Sequence, residues 1–489
     1  MIDAGRETQP IARVPEWGWL EAGLAVAARS EGLTFVALPA PVVAAPAILD
    51  AFRDAPLVSW TSEGLTLVGV GVARELRGTG ARRWAEVIAG AHAIAVNMPD
   101  AGEEPRDTMP TPLTELDRTR AVIAGAVSPT SALGFARPRL VGGAAFAPGT
   151  ADAEPWTGFG DAWFVLPRWT YVHDGARAFL LLAVDAAAAR DHGRWRDELA
   201  LHRAAFATAF TARAQPPLVE LHPADPVRWR TQVTEINDAI ACGACSKVVA
   251  ARMCSVALAG DVRLAELLAA LDDRHTDCVR VLIKPPGAGA LVAATPERLV
   301  RRDGNVVRCD ALAGSIDPNG DLEAATRALL ASAKDRREHA LVVDAVRAVL
   351  EGAGARVDAP AEPTVRALRH VLHLYTPFRA ELRAPRHVLE LAARLHPTPA
   401  VGGTPSDVAA AWIETHEPVA RGWYAAPVGW FDLDGNGELA VALRSGVIDG
   451  DRAHLWAGAG IVAGSDPDRE LAETEIKLRA MLGALGVTA

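Results

Sequence analysis

Apolar residues in the first 220 or so positions fall into short runs rather than a helical stripe. Leu65-Thr-Leu-Val-Gly-Val-Gly71 and Ala178-Phe-Leu-Leu-Leu-Ala-Val184 read as strands, with Gly and Pro interrupting the chain between such runs. Alanine-rich stretches at 186–189 and 204–214 predict helix. The paired prolines of Gln215-Pro-Pro-Leu218 then predict a connector, which places a boundary at 222 between a first part, 1–222, and a second, 223–489. The second part mixes strand and helix patterns without the regular alternation of a doubly wound parallel sheet, so an α+β fold is expected.

Several elements of the second part can be placed more closely. Asp432-Leu-Asp434-Gly-Asn436-Gly437 imitates the start of a calcium loop, but its twelfth position is Leu443 where a bidentate Glu is needed, so a hairpin turn is expected. The alternation that follows places Glu438, Ala440, Ala442 and Arg444 on one face of a strand. The stretch from Ser465 reads as a helix, capped by Ser465 or Asp466 with Pro467 in its first turn; Glu470, Glu473 and Lys477 share one of its faces. A second helix over 335–349 sets Glu338 in line with Leu341, Val342, Ala345 and Val349, at the end of an apolar stripe.

Length and composition narrow the class. At 489 residues the chain has either two domains or one large composite core, and 50% hydrophobic with 22% charged residues is the balance of a packed globular protein. A net charge of −10 with no dense basic run opposes nucleic acid. The N-terminal residues do not resemble a targeting segment and no apolar run is long enough to span a bilayer, so a cytoplasmic protein without a membrane partner is expected. Five cysteines in a chain this long do not suggest a disulfide framework, and Cys242-Gly-Ala-Cys245 lacks the partners that would make its spacing a zinc or redox site. The glycines of Gly458-Ala-Gly460-Ile-Val-Ala-Gly464 miss the dinucleotide fingerprint by one residue.

One compositional bias points to chemistry. Of fifty Lys and Arg residues only four are lysines, Lys247, Lys284, Lys334 and Lys477. A drift from Lys to Arg leaves lysine mainly where guanidinium fails, above all where a proton must be given up. Lys247 as a base near pH 7 would have to fall from about 10.4, which costs roughly 4–5 kcal/mol and requires an enclosed site. A Glu that retains its proton, such as Glu297, would be its natural acid partner; otherwise the two residues have unrelated surface roles. Glu338 facing a core is costly unless it is paired or binds a metal. Two helix-borne carboxylates with water suit magnesium, whereas Glu473 and Lys477 alone form an ordinary surface pair worth about 0.2–0.5 kcal/mol.

The ordered stretches His396-Pro-Thr-Pro-Ala400, Arg421-Gly-Trp-Tyr424, Val441-Ala-Leu-Arg444, Trp456-Ala-Gly458-Ala-Gly460 and Glu470-Leu-Ala-Glu473-Thr-Glu-Ile-Lys477 resemble the chorismate-utilising enzymes. The likeness is dense over about 245–485; before it only 142–146 and 156–167 look similar. The resemblance implies two packed antiparallel sheets flanked by helices. It implies Lys247 as the base that activates water and Glu297 as the acid at the departing ring hydroxyl. It further implies Mg²⁺ on Glu338 and Glu473 with Glu470 behind, and a substrate pocket formed by Gly314, Ser315, His396, Ala400, Tyr424, Arg444, Gly458, Gly460 and Lys477. Family members that use ammonia generally lack a lysine where Lys247 stands, or carry one where Ala313 stands, so water is the expected nucleophile.

The resemblance therefore leads to conversion of chorismate to isochorismate. The alternatives are onward elimination of pyruvate to salicylate, or a pocket that binds chorismate without turnover. Chorismate and isochorismate are the expected partners, in a monomer or weak homodimer, and menaquinone or siderophore synthesis stays open as the destination.

Overall fold

In a computed structural model of the chain, residues 16–96, 137–318, 320–369 and 371–487 are described. Their strands form two antiparallel sheets, one of twelve strands and one of ten. Both sheets draw strands from either side of residue 222. The larger carries Leu33–Ala40, Leu57–Ser62 and Leu65–Val70 beside Val279–Lys284 and Ala290–Thr295; the smaller sets Arg139–Ala144 against Pro427–Asp432.

The larger sheet is buried on both faces, which explains why its strands read as apolar runs rather than as alternations. Val58, Val281 and Ala293 point into a core shared with the smaller sheet. Their neighbours Leu57, Leu282 and Val292 point into a second core beneath helices Leu264–Arg274 and Pro467–Ala484. The molecule is thus a sandwich with a helical layer outside it, as expected.

Individual elements depart from the sequence reading in three places. The alanine-rich stretch is helical only from His192 to Ala207, with a 3₁₀ turn at Ala188–Arg190 before it, and 209–214 has no regular structure. The helix carrying Glu338 is Ala333–Gly352, and its buried stripe is His339, Val342, Val346 and Leu350 rather than Leu341, Ala345 and Val349. The strand expected to reach Arg444 is Gly437–Val441, because the chain leaves the smaller sheet there and enters the larger at Ser445.

Other expectations match. Asp432 closes a hairpin turn, its Oδ1 accepting from the backbone N–H of Asp434 and Asn436. Asp466, not Ser465, caps the C-terminal helix Pro467–Ala484, accepting from Asp468 and Arg469 N–H, with Pro467 in the first turn. Cys242 is exposed and Cys245 buried, both free. Among the described residues, no helix is long and apolar enough to cross a membrane.

Candidate active site

Two of the points where the chain passes between the sheets each deliver a charged side chain to one cavity. At the first, strand Ala290–Thr295 of the larger sheet passes through Pro296 and Glu297 into Arg298–Asp303 of the smaller. Glu297 is fixed there by its N–H on Thr295 Oγ1 and by its carbonyl, which accepts from Val441 N–H. Burial, then the charge of Asp310, push its carboxyl up to about 8 against the opposing pull of Lys247 and Lys477. It therefore keeps its proton at neutral pH and can donate it.

The second crossing turns at Arg444, whose φ of 48° is the left-handed conformation that costs a residue with a Cβ about 1–2 kcal/mol. The turn ends the alternation predicted for 438–444 and aims the guanidinium into the cavity. Arg444 is 9% exposed and meets Cys278 Sγ at 3.8 Å and His373 Nε2 at 3.5 Å. Among the described residues no carboxylate lies within ion-pair distance of it. A buried guanidinium without a counter-charge is costly, so the site is built for an anion at this end.

At the other end stand three carboxylates, each held by a lysine. Lys247 Nζ donates to Glu338 Oε1 at 2.9 Å, Lys334 to Glu470 at 2.7 Å and Lys477 to Glu473 at 2.7 Å. Three of the four lysines in the chain thus meet here, while Lys284 donates to the Arg53 carbonyl elsewhere. Burial pushes the Glu338 carboxyl up, but the charge and hydrogen bond of Lys247, aided by Lys334 and Lys477, outweigh it and hold the group below the usual range. Glu470 is raised, by burial and then by the charge of Glu473.

Lys247 is completely buried and opens strand Lys247–Leu258, which pairs with Arg452–Val462 so that Val249 faces Gly460 and Ala251 faces Gly458. A Cβ on Gly460 would fall 2.4 Å from Glu338 Oε1 and 2.8 Å from Lys247 Cε. Glycine at this position is what lets the lysine and the carboxylate meet. The ammonium sits behind Gly460 rather than on the cavity surface.

Most residues named from the sequence line that cavity: Glu297, Gly314, Ser315, Glu338, Ala400, Tyr424, Arg444, Gly458, Gly460, Glu473 and Lys477. Gly314 sits at a bulge in strand Val306–Ile316 with φ of 74°, and Ser315 beyond it meets His373 Nδ1 at 3.0 Å. Glu470 lines an adjoining surface cavity that shares Glu473. His396 lies outside the lining; its ring packs edge-on against Phe146 at 5.2 Å and serves the wall rather than the surface.

Sequence reasoning missed His373 and assigned no role to Arg421 or Lys334. His373 joins Ser315 to Arg444 from strand Leu372–Leu382 and carried no motif; burial, then Arg444, keep its ring neutral. Lys334 carried the same signal of rarity as the other lysines.

Among the described residues no three His, Cys, Asp or Glu side chains converge on one point. Magnesium, however, usually takes one or two protein carboxylates and keeps its waters. Glu338 and Glu473, hard oxygen donors on two helices facing one cavity, fit that demand.

Comparison with known proteins agrees with this arrangement. The family model described as chorismate binding enzyme matches residues 112–486. The salicylate biosynthesis isochorismate synthase of Pseudomonas aeruginosa is 34% identical over 449 residues, covering 88% of this chain and 85% of that protein. The isochorismate synthase MenF of Bacillus subtilis is 35% identical over 71% of this chain and 75% of its own length. In fold, the chain resembles the menaquinone-specific isochorismate synthase MenF of Escherichia coli, with a TM-score of 0.72 at 24% identity, covering 96% and 100% of the two chains.

Proposed function

Because the chain belongs to the chorismate-binding enzyme family, we propose that it interconverts chorismate and isochorismate. The observation that carries this reading is the pairing, in one cavity, of a proton-retaining Glu297 with a buried Arg444 that has no carboxylate at ion-pair distance among the described residues. The substrate is a dianion with a ring hydroxyl to lose, and the cavity offers an anion site and an acid.

In this reading Tyr424 and Arg444 hold the enolpyruvyl carboxylate, while Gly314, Ser315, Ala400, Gly458, Gly460 and Lys477 shape the pocket around the ring. Lys247, in its neutral form, takes a proton from the water whose oxygen bonds to ring carbon two. The double bonds shift, the carbon four–oxygen bond breaks, and Glu297 gives its proton to the departing hydroxyl, so water enters and water leaves. Glu338 and Glu473, with Glu470 behind, would hold magnesium, which supplies positive charge for the ring carboxylate. After the forward step Glu297 is a carboxylate and Lys247 an ammonium, so the same pair serves the reverse reaction with acid and base exchanged.

The test is chromatography of chorismate incubated with the protein, with and without magnesium. A chorismate–isochorismate mixture approaching equilibrium, with almost no pyruvate, is expected only with the metal. Lys247→Ala should lose at least ~1,000-fold in turnover with KM within a few-fold, since the base acts in the transition state rather than in binding. Stoichiometric salicylate and pyruvate would replace this activity with the two-step reaction, and no product at high protein concentration would leave a binding protein.

A further inference from the structure

Arg421 lines the same cavity, yet it is not placed to seize an anion. Its guanidinium is 2% exposed and Glu417, its partner, is 4% exposed at the side chain. Nε donates to Glu417 Oε2 at 2.8 Å and Nη2 to Glu417 Oε1. Nη1 donates to the Val401 carbonyl and Nη2 to the Val249 carbonyl, both at 2.7 Å. Four of its five N–H groups are therefore committed to protein. Burial lowers its pKa, but the charge and hydrogen bonds of Glu417 more than reverse this.

Those partners lie on separate segments that all reach the cavity. Val249 is two residues from Lys247 on the same face of its strand, and Val401 follows Ala400. Glu417 Oε1 also accepts from Ala251 N–H, which ties the strand a second time. The planar guanidinium stacks 4.5 Å from the centre of the Phe146 ring and 6.0 Å from that of Tyr424. Tyr424 in turn hydrogen-bonds through its N–H to the Arg421 carbonyl at 2.8 Å and stacks on Trp456.

We propose that Arg421, locked by Glu417, is a positioning residue that fixes the Tyr424 ring and the Ala400–Val401 wall against the strand of Lys247. The inference rests on the reading that Tyr424 receives the enolpyruvyl carboxylate. Arg421 acts through these groups and leaves anion binding to Arg444. Lysine cannot replace it, because an ammonium keeps the charge but cannot span two carbonyls and a carboxylate in one plane.

The experiment is a double-mutant cycle on KM and kcat for chorismate with Arg421→Lys and Tyr424→Phe, with thermal melting of each variant. Arg421→Lys is expected to raise KM about 10-fold with kcat within about 3-fold, and the double variant should show a KM near that of the worse single variant. Glu417→Gln should raise KM in the same direction, and it takes the place of Arg421→Lys in the cycle if that variant does not fold. A merely structural role would lower the melting temperature and kcat and leave KM unchanged; that result, or KM effects that multiply in the double variant, overturns the inference. If Tyr424→Phe alone leaves KM unchanged, the reading of Tyr424 fails and takes this inference with it. If Tyr424→Phe raises KM while the Arg421 and Glu417 variants do not, only the inference falls.

Discussion

Glu297 shows how one side chain's surroundings become a pH profile. Its carboxyl is raised from the ordinary 4.5 to about 8 by burial and then by Asp310, so the folded chain holds this proton more tightly than the unfolded one. The stability tied to it is complete below about pH 4.5 and is lost as pH rises through about 8. Melting temperature should therefore fall between about pH 5 and 9, and Glu297→Gln, a fixed mimic of the protonated acid, should flatten that slope. The acid also predicts a decline of kcat/KM above about pH 8 in the parent protein. A melting temperature with the same pH slope in both proteins would show that Glu297 is not the raised group. At this scale the sequence was most legible through rarity: arginine fills most cationic positions, and three of the four lysines stand at the site's carboxylates. His373 and Arg421 were not legible, because His and Arg are common here and only the folded chain shows what they touch.

Helices and strands were legible where a local signal decides them. The C-terminal helix was readable because Asp466, Pro467 and the Glu470–Glu473–Lys477 face are all local. The helix of Glu338 was found, but its stripe was displaced, because neighbours from both sheets decide which flank of an alanine- and valine-rich helix is buried. The strand ending at Val441 was overrun because hydrophobic alternation cannot register a passage from one sheet to another. The pairing of Lys247–Leu258 with Arg452–Val462 yields a sharp test of element packing. Gly460→Ala places a methyl against Glu338 and Lys247, and should cost about 1–3 kcal/mol in denaturant unfolding while lowering turnover at least ~10-fold. Parent-like stability and turnover would mean that the strand, the lysine and the carboxylate have slack that the geometry denies.

At the scale of the whole molecule, the stretches before and after residue 222 share both sheets: apart from edge strand Leu218–His222, each forms its own block of strands, and the blocks join where Leu57–Ser62 pairs with Val279–Lys284 and where Arg139–Ala144 pairs with Pro427–Asp432. Fragments 1–222 and 223–489, made separately, are expected to show no cooperative melting, because each lacks partners for strands buried on both faces. A sharp transition in either fragment would contradict this. Sequence patterns could show that the fold was α+β but not which strands join its halves, because strand pairing between residues hundreds of positions apart leaves no local periodicity.

Pairing between strands far apart in the chain sets a timetable. During synthesis, strand Lys247–Leu258 emerges well before its partner Arg452–Val462, a delay of roughly 190 residues or about 10–40 s at about 5–20 residues per second. Glu473 and Lys477 emerge later still, in the final helix. The crossing at Glu297 is therefore synthesised well before the carboxylate of Glu473. A chain stalled or cut before that helix lacks Glu473 and Lys477 and with them one wall of the cavity.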